Sequence, residues 1–283
     1  MIPYQAACDS YNLHRAWMEV RGKRTSSARH QGAGVDGVTI ADWETASEAR
    51  LQALQSDLLS GAYRPSPLLA FDIPRRSTEA AGGHGAPTRR LGIPTVTDRV
   101  AQRAVKNLLE PVWEGVFLSC SHGFRPDRSV FTAIAHVLWH EARGRDWVAD
   151  ADIEACFDNI PHDRLLARVT TCADAPLVEL VASWLEAGAI TPGRGVAQGA
   201  VLSPLLANIY LHSFDVAMIE AGWSLVRYAD DWVVMCQAEA EAANALDHAA
   251  EILHGLDLAL NPAKTGVVPF GPGFRFLGAE FWH

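Results

Sequence analysis

Carboxylates interrupt two apolar stretches of the chain, at places where burying a charge is costly. Asp152 lies near the end of the segment Val148–Ile153, and Asp230 and Asp231 are adjacent within Tyr228–Val234. Like charges brought close together raise one another's pKa unless cations compensate them. Clustered carboxylate oxygens are ligands that hard cations prefer, Mg²⁺ above all, with Mn²⁺ as a substitute. The pattern therefore predicts a divalent metal site formed by Asp152, Asp230 and Asp231.

The ordinary alternative for an isolated Asp-Asp pair is a polar hairpin turn, because Asp is common in turns. Apolar segments on both sides of Asp230 and Asp231, and a matching acid in another strand, favour the metal site instead. Two divalent ions about 3.5–4 Å apart can activate an attacking oxygen and stabilise a departing pyrophosphate. Asp150 shares strand parity with Asp152 and is interpreted as a solvated strand residue.

The second half of the chain alternates strand-like and helix-like segments. In chain order the pattern predicts a strand at 146–153, helices at 161–170, 175–187 and 204–221, a hairpin around Asp230, a helix at 239–255 and a strand at 265–270. This order is typical of the split βαβ fold, in which helices cover one face of an antiparallel sheet. The first strand and the hairpin are central neighbours in that fold, so Asp152 and Asp230 would converge despite 78 residues of separation.

The first half is less regular. A helix is predicted at 43–59, strands at 68–74 and 90–94, and a further helix with Thr97 or Asp98 as its N-cap. A Gly-, Ala- and Pro-rich segment at 77–88 predicts a flexible hairpin tip between the strands. We predict two domains, an N-terminal one at 1–145, which also contributes helices to the other domain, and a C-terminal one at 146–283, which carries the aspartates.

Composition limits the classes of protein to which the chain could belong, but it does not identify the function. The 283 residues carry a net charge of −9, but residues 1–150 have a net charge of +2 and residues 151–283 one of −11. The asymmetry is compatible with a lobe that meets phosphates and a lobe that collects metal ions, and equally with arbitrary charge placement. No apolar run is long enough to predict a membrane span. Scattered cysteines and the lack of a secretory signal favour the cytoplasm.

Seven sequence boxes, in order, resemble those of reverse transcriptases. They are RRLGIP (89–94) with Asp98, Arg99 and Gln102 behind it, HGFRPDRS (122–129), DIEACFD (152–158), QGAVLSPLLAN (198–208), YADD (228–231), NPAK (261–264) and FLG (276–278). A single YADD is weak evidence, whereas seven ordered boxes from about Gly34 to the end of the chain are highly specific.

The resemblance implies specific roles for some of these residues. Asp152 and Asp230 are implied as principal metal ligands, with Asp231 completing the cluster. Phe157 stands where the family has an aromatic gate that excludes a ribose 2′-hydroxyl, although without the family it would be interpreted as a core Phe at a strand end.

Four further residues are implied to contact the nucleotide. Gln198 would contact the incoming dNTP, and Arg89 and Arg75 would hold its triphosphate through the bidentate geometry of guanidinium. Relatives usually carry Lys at the position after the strand proline, where this chain has Arg75. Lys264 would protonate or neutralise the pyrophosphate, although an exposed loop Lys is more often simply solvated.

The implied fold is α+β, the fingers and palm of a right-hand polymerase, with a split βαβ palm and no thumb. The implied partners are an RNA template, a DNA or RNA primer, dNTPs, and another module that supplies a thumb. SPLLAN resembles group II intron reverse transcriptases and their CRISPR-associated relatives, and the segments around YADD and FGPGFRFLG favour the CRISPR-associated branch, whose members adjoin spacer-integration proteins.

Other interpretations stay open at this stage. The main alternative within the family is a truncated group II intron reverse transcriptase. A catalytically silent nucleic-acid-binding module and a metal-dependent nuclease or nucleotidyl cyclase on a similar palm are alternatives from other classes. The intact aspartates count against a pure binding module, because such a module has no need of a costly acidic cluster.

Overall fold

Residues 1–22, 32–74 and 88–282 are described by a computed structural model of the chain. They fall into two units, of which the first comprises Met1–Val112 and His162–Ser203 and the second Trp113–Pro161 and Pro204–His283. The predicted hairpin tip lies outside the described residues, apart from Thr88.

The helices and strands follow the predicted order. The helices are α1 (Tyr4–Ala7), α2 (Ser10–Arg21), α3 (Ile40–Glu44), α4 (Ser47–Ser60), α5 (Val96–Glu114), α6 (Val130–Glu141), α7 (Cys156–Asn159), α8 (His162–Val169), α9 (Ala175–Gly188), α10 (Ser203–Glu220) and α11 (Glu239–Gly255), with a 3-10 turn at Pro262–Lys264. The strands are β1 (Leu69–Pro74), β2 (Thr88–Ile93), β3 (Trp147–Asp152), β4 (Leu225–Tyr228), β5 (Asp231–Cys236), β6 (Gly266–Pro269), β7 (Arg275–Phe276) and β8 (Ala279–Glu280).

A four-stranded antiparallel sheet forms the centre of the second unit, with the strand order β4-β5-β3-β6. Strands β4 and β5 form a hairpin, and β3 lies between that hairpin and the last strand β6. This is the split βαβ arrangement, so the α+β fold class predicted from the sequence is confirmed. The position of β3 beside β5 brings Asp152 to the same end of the sheet as the hairpin turn.

The two faces of this sheet are buried by different elements. On one face α11 packs against β3, β5 and β6, and the ring of Phe214 in α10 lies 5.3 Å from that of Trp232 in β5. On the other face α6 packs against β4 and β5, and an apolar cluster joins strand residues to the C-terminal segment. The members of that cluster include Val148, Val226, Val233, Met235, Phe270, Phe274 and Phe276.

In the first unit, α5 begins at Val96 rather than after the predicted N-cap. The Thr95 hydroxyl accepts a hydrogen bond from the Asp98 amide (3.1 Å) and donates to the Asp98 carboxylate (2.7 Å). The prediction of Thr97 or Asp98 as N-cap is therefore wrong, because both residues lie within α5 and Thr95 caps its first turn. Asp98 is buried and also accepts from the Tyr63 hydroxyl at 2.5 Å. The predicted helix at 43–59 is two helices, α3 and α4, separated at Ala46, which has the non-helical φ of −133°.

Each unit combines segments from both sides of residue 145. Helix α6 precedes this residue and packs on β4 and β5, whereas α8 and α9 follow it and α9 packs on α1. Such long-range packing is not visible in the local pattern of a sequence. Within the described residues, no helix is long and apolar enough to cross a membrane.

The loop before α10 contacts strand β2 closely. The Gly92 amide donates to the Gln198 carbonyl (2.7 Å), and a Cβ on Gly199 would lie 2.8 Å from the Gly92 carbonyl oxygen. Gly199 also has a φ of +102°, which side chains rarely adopt. Glycine at this position thus allows the loop to approach the strand.

We expect Gly199→Ala to lower the free energy of unfolding by about 2–4 kcal/mol, because backbone strain and a backbone clash add together. Gly193→Ala is the matched control, since Gly193 has a φ of +73° and a Cβ there would meet no atom within 4 Å. It should cost only about 1 kcal/mol. Urea denaturation measures both, and equal losses would contradict the close approach.

Candidate active site

The strand register places two of the predicted aspartates side by side. Asp152, the last residue of β3, is the direct partner of Asp231, the first residue of β5. Side chains of such cross-strand partners share a face of the sheet, with Cβ atoms roughly 4.5–5.5 Å apart. The Ile153 amide donates to the Asp230 carbonyl at 3.3 Å, which ties the hairpin turn to the end of β3. The structure therefore brings Asp152, Asp230 and Asp231 together.

The turn that carries Asp230 has an unusual backbone. Tyr228 and Asp231 are paired, so Ala229 and Asp230 form a two-residue turn between β4 and β5. Ala229 has a φ of +60°, in the left-handed region that favours glycine. A Cβ on Gly123 would lie 2.5 Å from the Ala229 amide nitrogen, so the chain at Gly123 lies directly against the turn.

Asp152 has two side-chain partners. Its Oδ2 accepts from Lys264 Nζ (2.9 Å) and from Asn261 Nδ2 (3.2 Å). The Asn261 amide donates to the Asp152 backbone carbonyl (2.8 Å), and the Asn261 side chain accepts from the Ala263 amide. The Asn-Pro-Ala-Lys segment thus folds as a 3-10 turn that presents a cation to the acidic cluster.

Burial and repulsion from neighbouring charges disfavour the ionised forms of Asp230 and Asp231. Burial, then the charges of Asp150, Asp152 and Asp230, raise the pKa of Asp231 to about 7, against a smaller opposing effect of Lys264. Burial raises the pKa of Asp230 as well, and the charge of Asp152 adds to the increase. Asp230 and Asp231 therefore retain a proton more readily than exposed carboxyl groups do.

Asp150 is part of this electrostatic cluster and is half-buried, so it is not the fully solvated strand residue that was predicted. It lies between Val233 and Gly266 on the neighbouring strands, and burial and the charge of Asp152 raise its pKa to about 6. Strand parity placed Asp150 on the same face as Asp152. Parity could not indicate how deeply the neighbouring strands bury it.

The donor set fits a divalent cation by its chemistry. Three carboxylates, which offer oxygen donors, lie at one end of the sheet. A bound cation would reduce the repulsion that helps to raise the pKa values of Asp230 and Asp231. Across residues 1–22, 32–74 and 88–282, however, no group of three or more His, Cys, Asp or Glu side chains is arranged to hold a metal ion. Asp152 forms an ion pair with Lys264.

Phe157 lies in the short helix α7, which follows β3 after three residues. Its side chain is half-buried, and the fully buried Cys156 precedes it. Ala155, before the helix, has a φ of +43°, so the chain turns sharply between the Asp152 strand and Phe157. Phe157 belongs to the same unit as the aspartates.

The remaining predicted residues belong to the first unit or lie outside the described residues. Gln198 is half-buried in the loop that pairs with Gly92. Arg89 lies in β2 opposite Ile73. Arg75 is outside the described residues. The nucleotide-binding roles of all three stay predictions.

Sequence reasoning missed a buried ion pair next to the hairpin turn. Arg227, the residue before Tyr228 in β4, is fully buried and donates two hydrogen bonds of 2.5 Å to the buried Asp215 of α10. Both residues stand in mainly apolar segments, LVRY and FDVAMI. A buried charge is rarely left unpaired, so two opposite charges in apolar elements were the available signal.

The raised pKa of Asp231 predicts how stability depends on pH in metal-free buffer. The folded state keeps a proton that the unfolded chain loses above about pH 4, so the free energy of unfolding falls between about pH 4 and 7. Asp231→Asn removes this loss. We expect the variant to exceed the wild type by about 1–3 kcal/mol at pH 8 and to match it below pH 4.

Urea denaturation with a chelator at several pH values measures the difference. Asp247→Asn, the same change on the exposed side of α11, is the control and should show no pH-dependent difference. A pH-independent gain for Asp231→Asn would contradict the raised pKa.

Comparisons with known proteins agree with this geometry. Residues 83–281 match the model of a family described as "Reverse transcriptase (RNA-dependent DNA polymerase)". Protein YkfC of Escherichia coli is 32% identical, over 93% of this chain and 79% of its own length. The group II intron-encoded protein LtrA of Lactococcus lactis is 35% identical over 68% of this chain. That match spans only 32% of LtrA.

A solved structure shares the fold. The apo telomerase of Candida tropicalis, truncated from its C-terminal domain, superposes with a TM-score of 0.53 over 84% of this chain and 57% of the telomerase chain, at 13% identity. The family match spans β3, the hairpin turn with Asp230 and the turn with Lys264. The chain therefore belongs to the reverse transcriptase family of RNA-dependent DNA polymerases.

Proposed function

We propose that the chain adds dNTPs to the 3′-end of a DNA or RNA primer paired with an RNA template. The observation that carries this proposal is the pairing of Asp152 with Asp231 at the end of a sheet within the family match. These acids are costly to bury. A catalytically silent binding module would have no use for them, so their presence favours an enzyme.

Reverse transcriptases as a family use divalent metal ions. We propose Mg²⁺ for this chain, with Mn²⁺ as a substitute, held by the oxygen donors of Asp152, Asp230 and Asp231. Bound divalent ions supply activation of the primer 3′-oxygen and stabilisation of the departing pyrophosphate. The protein contributes by holding these three carboxylates at one end of the sheet.

Lys264 is proposed to act on the pyrophosphate. Its side chain is half-exposed and pairs with Asp152, so the ammonium group stands beside the acidic cluster with open access to solvent. A cation in that place can neutralise or protonate an oxygen of the leaving group. Its ion pair with Asp152 also partly balances the cluster before any metal ion binds.

The sugar and triphosphate contacts are proposals that rest on the sequence boxes. Phe157, whose ring is half-buried just after β3, would exclude a ribose 2′-hydroxyl. Gln198 would contact the incoming dNTP, and Arg89 and Arg75 its triphosphate, through the fixed fork of donors that guanidinium offers.

Two biological settings are proposed. The likeness to LtrA supports an intron-encoded enzyme, of which the chain would be a part. The segments around YADD and FGPGFRFLG support acquisition of CRISPR spacers from RNA beside spacer-integration proteins, in the cytoplasm. An adjoining gene for a spacer-integration protein would decide for the second setting, and flanking intron RNA for the first.

We expect Asp230→Asn to reduce primer extension on poly(rA) with oligo(dT) by more than about 100-fold, because a metal ligand is lost. Asp247→Asn makes the same chemical change on the exposed side of α11 and should leave extension unchanged. Extension by Asp230→Asn at the wild-type rate would refute the assignment. An inactive wild type, with folding confirmed, would favour the silent binding module.

We expect Phe157→Ala to admit ribonucleotides, because the ring that meets the 2′-hydroxyl is removed. The measurement is the ratio of kcat/KM for dTTP to that for UTP, which should fall by roughly 10–100-fold. Phe131→Ala, which removes a ring that is 81% exposed on α6, is the control. An unchanged ratio in Phe157→Ala would contradict the proposed gate.

A further inference from the structure

All the N–H groups of the Arg227 guanidinium donate hydrogen bonds to residues around the hairpin turn that carries Asp230. Its Nε and Nη2 donate to the two carboxylate oxygens of Asp215, each at 2.5 Å. Nη2 also donates to the Ser121 hydroxyl at 2.9 Å. Nη1 donates to the Asn208 side-chain oxygen at 3.0 Å and to the Ala229 carbonyl at 2.8 Å.

The bond to Ala229 bears directly on the proposed metal ligands. The Ala229 carbonyl belongs to the peptide that leads into Asp230, and Ala229 holds a left-handed backbone conformation. A non-glycine residue persists in that conformation only where its surroundings fix it. The guanidinium supplies a fixed hydrogen-bond donor at that carbonyl.

A second contact fixes the turn from the amide side. Gly123 lies directly against the Ala229 amide, and its carbonyl accepts from the Asn208 side-chain amide at 2.7 Å. The amide of Asn208 therefore serves both contacts, since its oxygen accepts from Arg227 and its nitrogen donates to Gly123. One helix, α10, thus carries both Asn208 and Asp215, the two residues that orient the guanidinium.

The chemistry of the Arg227–Asp215 ion pair indicates a role beyond stabilising the fold. A fully buried ion pair contributes little net stability compared with apolar residues of the same shape, because both charges lose their water. Only a planar fork of donors can serve Asp215 and the Ala229 carbonyl at once, and a lysine ammonium cannot. The arrangement is suited to fixing the backbone conformation of the hairpin turn.

We propose that Asp215, Arg227 and Asn208 are positioning residues, which fix the peptide before Asp230 and so orient the carboxylates of the acidic cluster. This inference rests on the proposed function of the site. All three residues are fully buried and act through the turn. Loss of the fork leaves the fold intact but lets the turn leave its left-handed conformation.

The test is Arg227→Lys, which keeps the charge and removes the fork. The expected result is a fall in kcat of about 100-fold with the dNTP KM unchanged, because misplacement of the turn affects chemistry rather than nucleotide binding. Titration with Mn²⁺ alone, followed by electron paramagnetic resonance, should show about tenfold weaker binding, as expected when the support of a ligand is lost.

Arg125→Lys is the matched control. Arg125 is a buried arginine of the same unit that pairs in bidentate fashion with Glu114 and also donates to the carbonyls of Leu118 and Ser121, without a contact to the turn. It should lower the urea midpoint but leave kcat and Mn²⁺ binding close to wild type. Ser121→Ala, which removes a bond of Arg227 but spares the Ala229 carbonyl, should do the same.

The outcomes separate this inference from the proposed function. Equal losses of kcat and Mn²⁺ affinity in Arg227→Lys and Arg125→Lys would overturn the positioning role. If Arg227→Lys does not fold, Asn208→Ala takes its place with the same expected results. If the wild type extends no primer, the proposed polymerase activity fails, and the Mn²⁺ titration still decides whether Arg227 orients the acidic cluster.

Discussion

Repulsion between carboxylates at one end of an antiparallel sheet is the constraint on which the site depends. Asp152 and Asp231 are cross-strand partners, Asp230 occupies the adjoining turn, and Asp150 follows on the same face. Lys264 balances part of this charge through its pair with Asp152. A protein shaped only for stability would avoid such a cluster, so its cost supports the proposal that chemistry is performed there.

The two faces of the sheet carry different parts of the site. Asp152 and Asp231 share one face, and the neighbouring strand residue Arg227 projects to the other, where α10 supplies its partners. The turn with Asp230 connects the two faces through the Ala229 carbonyl. Substitution of the buried polar residues on the α10 side of the sheet can therefore change the orientation of the acidic cluster, although these residues do not contact it.

Much of the second unit could be predicted from local pattern. Apolar runs gave β3 and the hairpin, and the bounds of α11 agree with the predicted helix at 239–255 because its Ala-rich face repeats regularly. Depth of burial and long-range packing could not be predicted. The burial of Asp150 was not predicted because strand parity does not show its depth. The pairing of Arg227 with Asp215 was missed because the two charges stand in separate elements that pack together only in the fold. The placement of α8 and α9 in the first unit is also long-range.

The central claim is that Asp152, Asp230 and Asp231 hold the divalent ions of a nucleotidyl transfer reaction. Anomalous X-ray diffraction from crystals soaked in Mn²⁺ with primer, template and dNTP tests it directly. The expected result is Mn²⁺ density bounded by these three carboxylates, with two ions about 3.5–4 Å apart. Bound nucleotide in active crystals with Mn²⁺ held elsewhere, and none at these aspartates, would contradict the account.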